Sequence, residues 1–161
     1  SAGHAGLALY CVIEKYLKID AEKIFDHHGV HPDYCEECHI DCTSGSLGNG
    51  LPIAVGMALQ NRNKNYYVLC SDGEMAEGSV WEALRIASEQ NLSNLRVFLN
   101  LNGWGAYKAI DSYYMKLRLG NFFKLEMRET DVDDFPFLEG QKGHYVTLDE
   151  ETHNQAMKIF R

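Results

Sequence analysis

The sequence predicts an α/β fold with a parallel sheet, and three observations support this prediction. Residues 66–70, YYVLC, and residues 95–103, LRVFLNLNG, are short and mainly apolar runs that end at turn-forming residues, as buried strands of a parallel sheet do. The segment between them, residues 78–91, has the spacing of an amphipathic helix. A strand, a helix and a second strand joined by short connections indicate a right-handed crossover between parallel neighbours.

The elements before the first strand are predicted to be helical. Residues 3–18, GHAGLALYCVIEKYLK, have apolar side chains at helical spacing, with Leu9, Ile13 and Tyr16 close to one stripe. Residues 51–60, LPIAVGMALQ, consist largely of small and branched apolar residues. We therefore expect an amphipathic N-terminal helix and, after a polar stretch that contains cysteines, a buried second helix.

The elements after the first strand follow from the same patterns. The helix of residues 78–91 is predicted to direct three apolar side chains to one face, namely Val80, Leu84 and Ala87. The rest of the sequence predicts a helix over residues 109–119 and a third strand over residues 122–130. An extended segment with turns, residues 131–146, and a closing helix, residues 150–160, are predicted to follow.

Composition and charge limit the classes of function. The 161 residues suit one globular domain, with 45% hydrophobic and 24% charged residues. A formal net charge of −8 argues against nucleic acid or an anionic membrane as the main partner. No apolar run approaches the roughly 20 residues that span a bilayer. Five cysteines are an odd number, and Cys11 and Cys70 lie in apolar runs, so we expect buried free thiols in a reducing cytoplasm.

Two polar residues lie at the ends of the first two predicted strands. The end of the first strand is Ser71-Asp72-Gly73, and the end of the second is Leu101-Asn102-Gly103. Ligands collect beyond the carboxyl ends of parallel strands, and a carboxylate with an amide oxygen is a ligand pair that suits Mg²⁺ or Ca²⁺. Taken singly, Asp72 fits a helix cap and Asn102 a tight turn. Taken together, with residues 74–100 separating SDG from LN, the two residues predict a metal site that binds a phosphate group.

Four motifs, in this order, resemble those of the transketolase family. SAGHAGLALY at the start is similar to the family's small-x-Gly-His opening, and HPD at residues 31–33 resembles His-Pro-Glu. TSGSLGNGLPIAVGMAL, residues 43–59, is similar to the family's Thr-Thr-Gly-x-Leu-Gly-Gln-Gly loop and helix. SDGEMAEGSVWEA, residues 71–83, followed by LN, resembles the thiamine diphosphate motif that begins Gly-Asp-Gly and ends Asn-Asn. Ser71 and Leu101 depart from that motif.

The resemblance implies a doubly wound, parallel-sheet thiamine diphosphate-binding fold, with residues 1–161 forming one diphosphate-binding domain. It also implies that Asp72, Asn102 and the backbone carbonyl of Trp104 hold Mg²⁺ or Ca²⁺, and that the N–H of Gly73 binds the diphosphate. The loop residues implied to lie along the rings of the cofactor are Gly45, Ser46 and Leu47.

The resemblance assigns further roles to histidines and glutamates. His4 matches a histidine near the diphosphate and the substrate, His31 one at the hydroxyl end of the substrate, and His144 a later histidine that reaches the diphosphate. Imidazoles suit the proton transfers of this chemistry near neutral pH. Glu77 and Glu82 fall where the family places carboxylates at a subunit interface, so a homo-oligomer is expected.

The family also has parts that this sequence does not contain. Its members carry a segment before the Gly-His motif and a pyrimidine-binding domain with an activating glutamate. The resemblance therefore implies one half of a split transketolase, which transfers a two-carbon ketol unit between sugar phosphates once paired with a pyrimidine-binding C-terminal subunit. The alternatives are a component similar to deoxyxylulose phosphate synthase or to a 2-oxo acid decarboxylase, or a non-catalytic regulatory or assembly remnant.

One cluster of cysteines and histidines begins at the second of these motifs. The segment HPDYCEECHIDC contains Cys35, Cys38 and Cys42 together with His31 and His39. Cys-x-x-Cys is a zinc-like spacing, and a nearby imidazole could complete the ligand set. A closed zinc site usually needs two separated pairs of ligands, so we expect an ordinary loop and leave a structural zinc site and a redox pair as alternatives.

Overall fold

The computed structural model describes residues 1–105, 107–120, 124–130, 135–138 and 146–159. The α-helices are α1 Gly6–Leu17, α2 Ala21–His28, α3 Gly50–Gln60, α4 Gly78–Glu89, α5 Ser112–Leu119 and α6 Glu150–Ile159. The strands are β1 Tyr66–Ser71, β2 Leu95–Leu101 and β3 Leu125–Glu129. Short 3-10 turns lie at Gly3–Ala5, Glu74–Ala76 and Pro136–Leu138.

The three strands form one parallel sheet in the order β1-β2-β3. Val68 of β1 lies opposite Val97 of β2, and Leu99 of β2 lies opposite Met127 of β3. The chain crosses from β1 to β2 through α4 and from β2 to β3 through α5. The predicted α/β fold with a parallel sheet is confirmed, and the carboxyl ends of all three strands meet at one edge.

The main core joins α3 and α4 to the sheet. Val80, Leu84 and Ala87 of α4 are all completely buried, as their helical spacing predicts. Burial of a large apolar side chain contributes roughly 1.5–3 kcal/mol, so this face of α4 makes a substantial contribution to the free energy of folding. Other members of this core are Leu51, Ala54, Val55, Ala58, Val68, Val97, Leu99 and Leu101.

A second, smaller core joins α1, α2 and the segment that follows α2. Its buried members are Tyr10, Ile13, Ala21, Ile24 and Ile40. The predicted stripe of α1 was wrong in part, because Leu9 and Tyr16 are exposed and only Ile13 is buried. The buried face instead consists of Gly6, Tyr10 and Ile13, which follow the i, i+4, i+7 spacing of one helix face.

The cysteines and the helices bear on two further predictions. All five cysteines are free, and Cys70 is buried as predicted, whereas Cys11 is exposed on α1, so that part of the prediction was wrong. Burial raises the pKa of the Cys70 thiol to about 12. Among the helices that the structure describes, none has the length and apolarity to cross a membrane.

Candidate functional site

Asp72 joins the carboxyl ends of β1 and β2. Its side chain is completely buried. Its Oδ2 accepts hydrogen bonds from the backbone N–H of Asn102 at 3.0 Å and of Gly103 at 2.7 Å. Its own backbone N–H donates to the carbonyl of Asn100 at 3.2 Å. The carboxylate therefore holds the turn after β2 against the end of β1.

The other oxygen of this carboxylate has no such contact. Oδ1 of Asp72 is buried, and no residue that the structure describes gives it a hydrogen bond. Burial raises the pKa of Asp72 above its ordinary value of 3.8, and the N–H groups of Gly103 and Asn102 offset part of that rise. A buried carboxylate oxygen without a donor costs free energy, and a divalent cation would remove that cost.

The other two predicted metal ligands lie in the turn that Asp72 holds. Oδ1 of Asn102 accepts the backbone N–H of Trp104 at 2.8 Å. Gly103 has a φ of +78°, a conformation that glycine adopts without strain, and its carbonyl accepts the N–H of Ile110 at 2.8 Å. Asn102 and Trp104 are half-buried. Asp72, Asn102 and Trp104 thus belong to one hydrogen-bonded unit of oxygen-bearing groups, which fits a hard divalent cation.

The small-residue loop, defined here as residues 43–49, is fixed to the segment after β1 by Gly48. The N–H of Gly48 donates to Oε1 of Glu74 at 3.1 Å, and its carbonyl accepts the hydroxyl of Ser79 at 3.0 Å. Gly48 has a φ of +79°, and a Cβ there would lie 2.6 Å from Cβ of Glu77. The loop therefore depends on glycine at this position, for its conformation and for the close approach.

Glu74 is a buried acidic residue to which the sequence assigned no role. It is completely buried, and burial raises its pKa above the ordinary value of 4.5, with the N–H of Gly48 acting in the opposite direction. Its Oε2 has no hydrogen-bond partner among the residues that the structure describes. Its position two residues after Asp72, in SDGE, was the available signal, but one acidic residue at a turn is usually exposed.

His4 and His31 meet at the start of the same loop. Their ring centroids lie 4.9 Å apart in an edge-to-face arrangement, and both side chains are exposed. A Cβ at Gly3 would lie 2.6 Å from Cα of Gly45 and 2.8 Å from Cδ2 of His31. The N–H of Ala2 donates to the carbonyl of Leu69 at 3.1 Å, which places this N-terminal segment beside β1.

The remaining predicted residues differ in their surroundings. Gly45 and Ser46 are exposed and Leu47 is half-buried in the small-residue loop, while Gly73 is buried at the start of the 3-10 turn after Asp72. Glu77 is half-buried beside Gly48 and Glu82 is exposed on α4. His144 lies outside the residues that the structure describes.

The sequence also left open a cysteine–histidine site. The structure groups Cys35 and Cys38 with His28. Cys42, His31 and His39 are not part of that group. His28 is therefore the ligand-type residue that sequence reasoning missed in this segment.

Comparison with known proteins identifies relatives of this chain. Residues 1–111 match the protein family described as transketolase, thiamine diphosphate binding domain. Human transketolase is 39% identical over 116 residues, which cover 65% of this chain and 18% of the human protein. Two bacterial proteins also match. An apulose-4-phosphate transketolase subunit from Actinobacillus succinogenes is 33% identical over 112 residues, and a 6-deoxy-6-sulfo-D-fructose transketolase subunit from a Clostridium species is 36% identical over 112 residues.

The coverage of these relatives is partial. Each match to the two bacterial subunits covers 63% of this chain and 41% of the bacterial protein. The chain thus corresponds to less than half the length of the human relative and of both bacterial relatives.

Proposed function

The chain belongs to the transketolase family of thiamine diphosphate-binding domains, and from that premise we propose that it is the diphosphate- and metal-binding half of a transketolase-like enzyme. The reaction proposed is transfer of a two-carbon ketol unit between sugar phosphates. One observation carries the proposal. The buried Asp72 has one carboxylate oxygen fixed by the turn after β2 and the other without a partner among the described residues.

The metal site of this proposal consists of Asp72, Asn102 and the backbone carbonyl of Trp104. All three offer oxygen, which Mg²⁺ and Ca²⁺ prefer, and an ion held by so few protein ligands takes further oxygens from phosphate and water. The unpartnered Oδ1 of Asp72 supports this assignment. Because the ion would favour the charged carboxylate, binding would also lower the pKa of Asp72.

The remaining parts of the cofactor site lie in two segments. Gly73, at the start of the 3-10 turn after Asp72, would donate its N–H to the diphosphate. The small-residue loop would lie along the cofactor rings, through Gly45, Ser46 and Leu47. The exposure of Gly45 and Ser46 supports this role, because their backbone is accessible to a ligand.

The catalytic residues of the proposal are His4 and His31, with His144 as a third. Thiamine diphosphate, when bound, supplies the electron sink that two-carbon transfer requires. The imidazoles of His4 and His31 would accept and return the protons of the sugar hydroxyls, which is general acid–base work near neutral pH. Their exposed, neighbouring rings support access to a substrate.

We further propose that the site is completed by a pyrimidine-binding partner subunit. Two relatives are named as transketolase subunits rather than as whole transketolases, which supports a divided enzyme. Glu77 and Glu82 would lie at the subunit interface of a homo-oligomer, and the five free thiols support a cytoplasmic setting. β3 pairs with β2 in the same sheet, which supports one domain over residues 1–161, beyond the family match.

The experiment is a calorimetric titration of thiamine diphosphate into the chain co-purified with its pyrimidine-binding partner. One titration contains Mg²⁺, and in the other a chelator replaces Mg²⁺. We expect binding that requires Mg²⁺ and that Asp72→Asn abolishes. Asp26→Asn, a change of an exposed aspartate on α2, is the matched control and should bind as the unmodified chain does.

Three results would count against the proposal. Equal binding by Asp72→Asn would remove Asp72 from the site. Absence of Mg²⁺-dependent binding would favour a non-catalytic remnant. Binding accompanied by decarboxylation of pyruvate, without ketol transfer from a ketose phosphate to an aldose phosphate, would favour the deoxyxylulose phosphate synthase-like alternative.

A further inference from the structure

A second set of ligand-type side chains meets at the end of α2, outside the cofactor site proposed above. A ring nitrogen of His28 and the sulfurs of Cys35 and Cys38 all lie within 4.8 Å of one another. His28 is the last residue of α2, and the two cysteines belong to the short hairpin that follows. We propose that His28, Cys35 and Cys38 bind one zinc ion.

The state of His28 supports a ligand role. Its Nε2 is buried, and no hydrogen-bond partner for it exists among the residues that the structure describes. A buried polar nitrogen without a partner costs free energy, and a metal ion bound to it would remove that cost. His28 is held in place on both sides, because α2 fixes its backbone and the Tyr10 hydroxyl donates to the carbonyl of Gly29 at 3.0 Å.

Backbone hydrogen bonds fix the hairpin that carries the two cysteines. The N–H of Cys35 donates to the carbonyl of Ile40 at 3.1 Å, and the N–H of Ile40 donates back at 2.8 Å. The N–H of Cys38 donates to the sulfur of Cys35 at 3.3 Å, which holds the two cysteines close together. His39 has a φ of +55°, and this left-handed residue turns the chain immediately after Cys38.

The hairpin is attached to the smaller core. Ile40 is completely buried there, and Cys35 and Cys38 pack against the same cluster. Packing therefore positions the two cysteines, and α2 positions the backbone of His28. Tetrahedral zinc with bonds of about 2.3 Å to sulfur holds two sulfurs roughly 3.8 Å apart, so the two sulfurs need to approach each other by no more than about 1 Å.

The ligand set selects the metal. One imidazole and two thiolates suit zinc, whereas Mg²⁺ and Ca²⁺ prefer oxygen. On binding, each cysteine releases its thiol proton to solvent and His28 coordinates through a neutral ring nitrogen, so two protons leave for each ion bound. Three protein ligands leave the fourth tetrahedral position to a water molecule.

The proposed zinc site goes beyond the proposed enzymatic function and is tested without cofactor or substrate. The reduced, metal-free chain is titrated with Co²⁺ and then with Zn²⁺, and a chromophoric chelator reports the affinity for zinc. We expect one Co²⁺ ion per chain, with thiolate-to-cobalt charge-transfer absorption and the visible bands of tetrahedral cobalt. Both absorptions should disappear when Zn²⁺ replaces Co²⁺.

Variants then identify the ligands. Cys35→Ser, Cys38→Ser and His28→Ala should each lower the affinity for zinc by about 100-fold or more, since removal of a ligand exceeds the 10–100-fold effect of outer-shell changes. His27→Ala changes the neighbouring exposed histidine, and Cys42→Ser changes a half-buried cysteine of the same segment. Both controls should bind zinc as the unmodified chain does. Far-ultraviolet circular dichroism of each variant verifies that the fold is retained.

Several results would overturn the proposal. One is no stoichiometric zinc in the reduced chain. Another is equal loss of zinc binding in His27→Ala or Cys42→Ser. A third is a Cys35–Cys38 disulfide that forms readily in a chain that takes up no zinc after reduction, which would identify a redox pair. If a ligand variant fails to fold, the cobalt spectrum of the unmodified chain still decides, because a spectrum without sulfur-to-metal charge transfer contradicts thiolate ligands.

Discussion

Asp72, the residue after β1, accepts a hydrogen bond from the backbone N–H of Asn102 at 3.0 Å. The strand pairing alone would bring these two residues near each other, because Ser71 lies opposite Asn100 in the parallel ladder. The hydrogen bond also fixes the orientation of the carboxylate, since Oδ2 faces the turn and Oδ1 has no partner among the described residues. The first prediction concerns the charge of this buried carboxylate.

Stability should fall as the pH rises from about 4 in the absence of metal. Burial raises the pKa of Asp72 and of Glu74 above their ordinary values of 3.8 and 4.5. The unfolded chain therefore loses these protons at lower pH than the folded chain. The two protonated carboxyl groups contribute fully to stability below the pKa values of the unfolded chain, and this contribution is lost as the pH rises through the pKa values of the folded chain.

The measurement is the free energy of unfolding by urea from pH 4 to pH 7, for the unmodified chain, Asp72→Asn and Glu74→Gln. Each variant should lose less stability with rising pH than the unmodified chain, because an amide does not ionise. Saturating Mg²⁺ and thiamine diphosphate should reduce the difference in pH-dependent stability between Asp72→Asn and the unmodified chain. Parallel pH profiles for all three proteins would contradict the prediction.

Gly48→Ala should destabilise the protein by about 1–3 kcal/mol, the usual cost of a strained backbone conformation. The added Cβ would lie 2.6 Å from Cβ of Glu77 and 2.7 Å from the hydroxyl of Ser79, at a φ of +79°. Gly56→Ala is the control, because a Cβ at that position in α3 would meet no atom within 4 Å outside its chain neighbours and the backbone of its own helix. It should stabilise by roughly 0.5–1 kcal/mol. Equal unfolding midpoints for the two variants would show that Gly48 is not constrained.

Asn94 should prove essential to the connection between α3 and β1. The two hydrogens of its side-chain NH2 group are shared among three backbone carbonyls, those of Ala58, Asn61 and Lys64, at 3.0–3.1 Å. Asn94→Ala should lower the free energy of unfolding by about 1–3 kcal/mol, because buried acceptors lose their donor. Asn94→Asp should cost more, since a carboxylate would face those carbonyls.

Urea denaturation of both Asn94 variants measures these costs. Asn154→Ala, an exposed change on α6, should leave the stability within about 0.5 kcal/mol of the unmodified chain. If Asn94→Asp is as stable as the unmodified protein, the proposed role of the Asn94 amide is refuted.

His31→Ala should lower kcat/KM for ketol transfer by about 100-fold or more in the complex with the pyrimidine-binding partner, the usual effect of removing a general acid–base group. Binding of thiamine diphosphate should be much less affected, because His31 is proposed to act on the substrate. The exposed His153 of α6 supplies the control His153→Ala. An unchanged kcat/KM for His31→Ala would assign the reaction's proton transfers elsewhere.

Much of the fold was predictable because its signals are local. The apolar run predicted at residues 66–70 is β1, Tyr66–Ser71, and the predicted helix at residues 78–91 is α4, Gly78–Glu89. The predicted third strand at residues 122–130 is β3, Leu125–Glu129. Helix α2 was missed, although Asp20 caps its start through the N–H groups of Glu22 and Lys23, and Gly29 follows its end.

The candidate site was predictable only in part, because burial and pairing across the chain leave weaker traces. The sequence brought Asp72 and Asn102 together through the geometry of neighbouring strand ends. It did not predict that Glu74 binds Gly48, since the partners are 26 residues apart and neither has a pattern that identifies the other. It did not group His28 with the cysteines, because their proximity depends on how the hairpin of Cys35 and Cys38 packs against the smaller core.

The two separate cores have a consequence for the order in which the protein opens. His31 follows α2 and the smaller core, whereas Asp72 follows a strand of the main core. Cooperative units of unequal stability open independently, so amides around Ile24 and Ile40 should exchange with deuterium before those of Val97 and Leu99. The segment that carries His31, the proposed acid–base residue, would then open first, while Asp72, the proposed metal ligand, keeps its place at the end of the sheet.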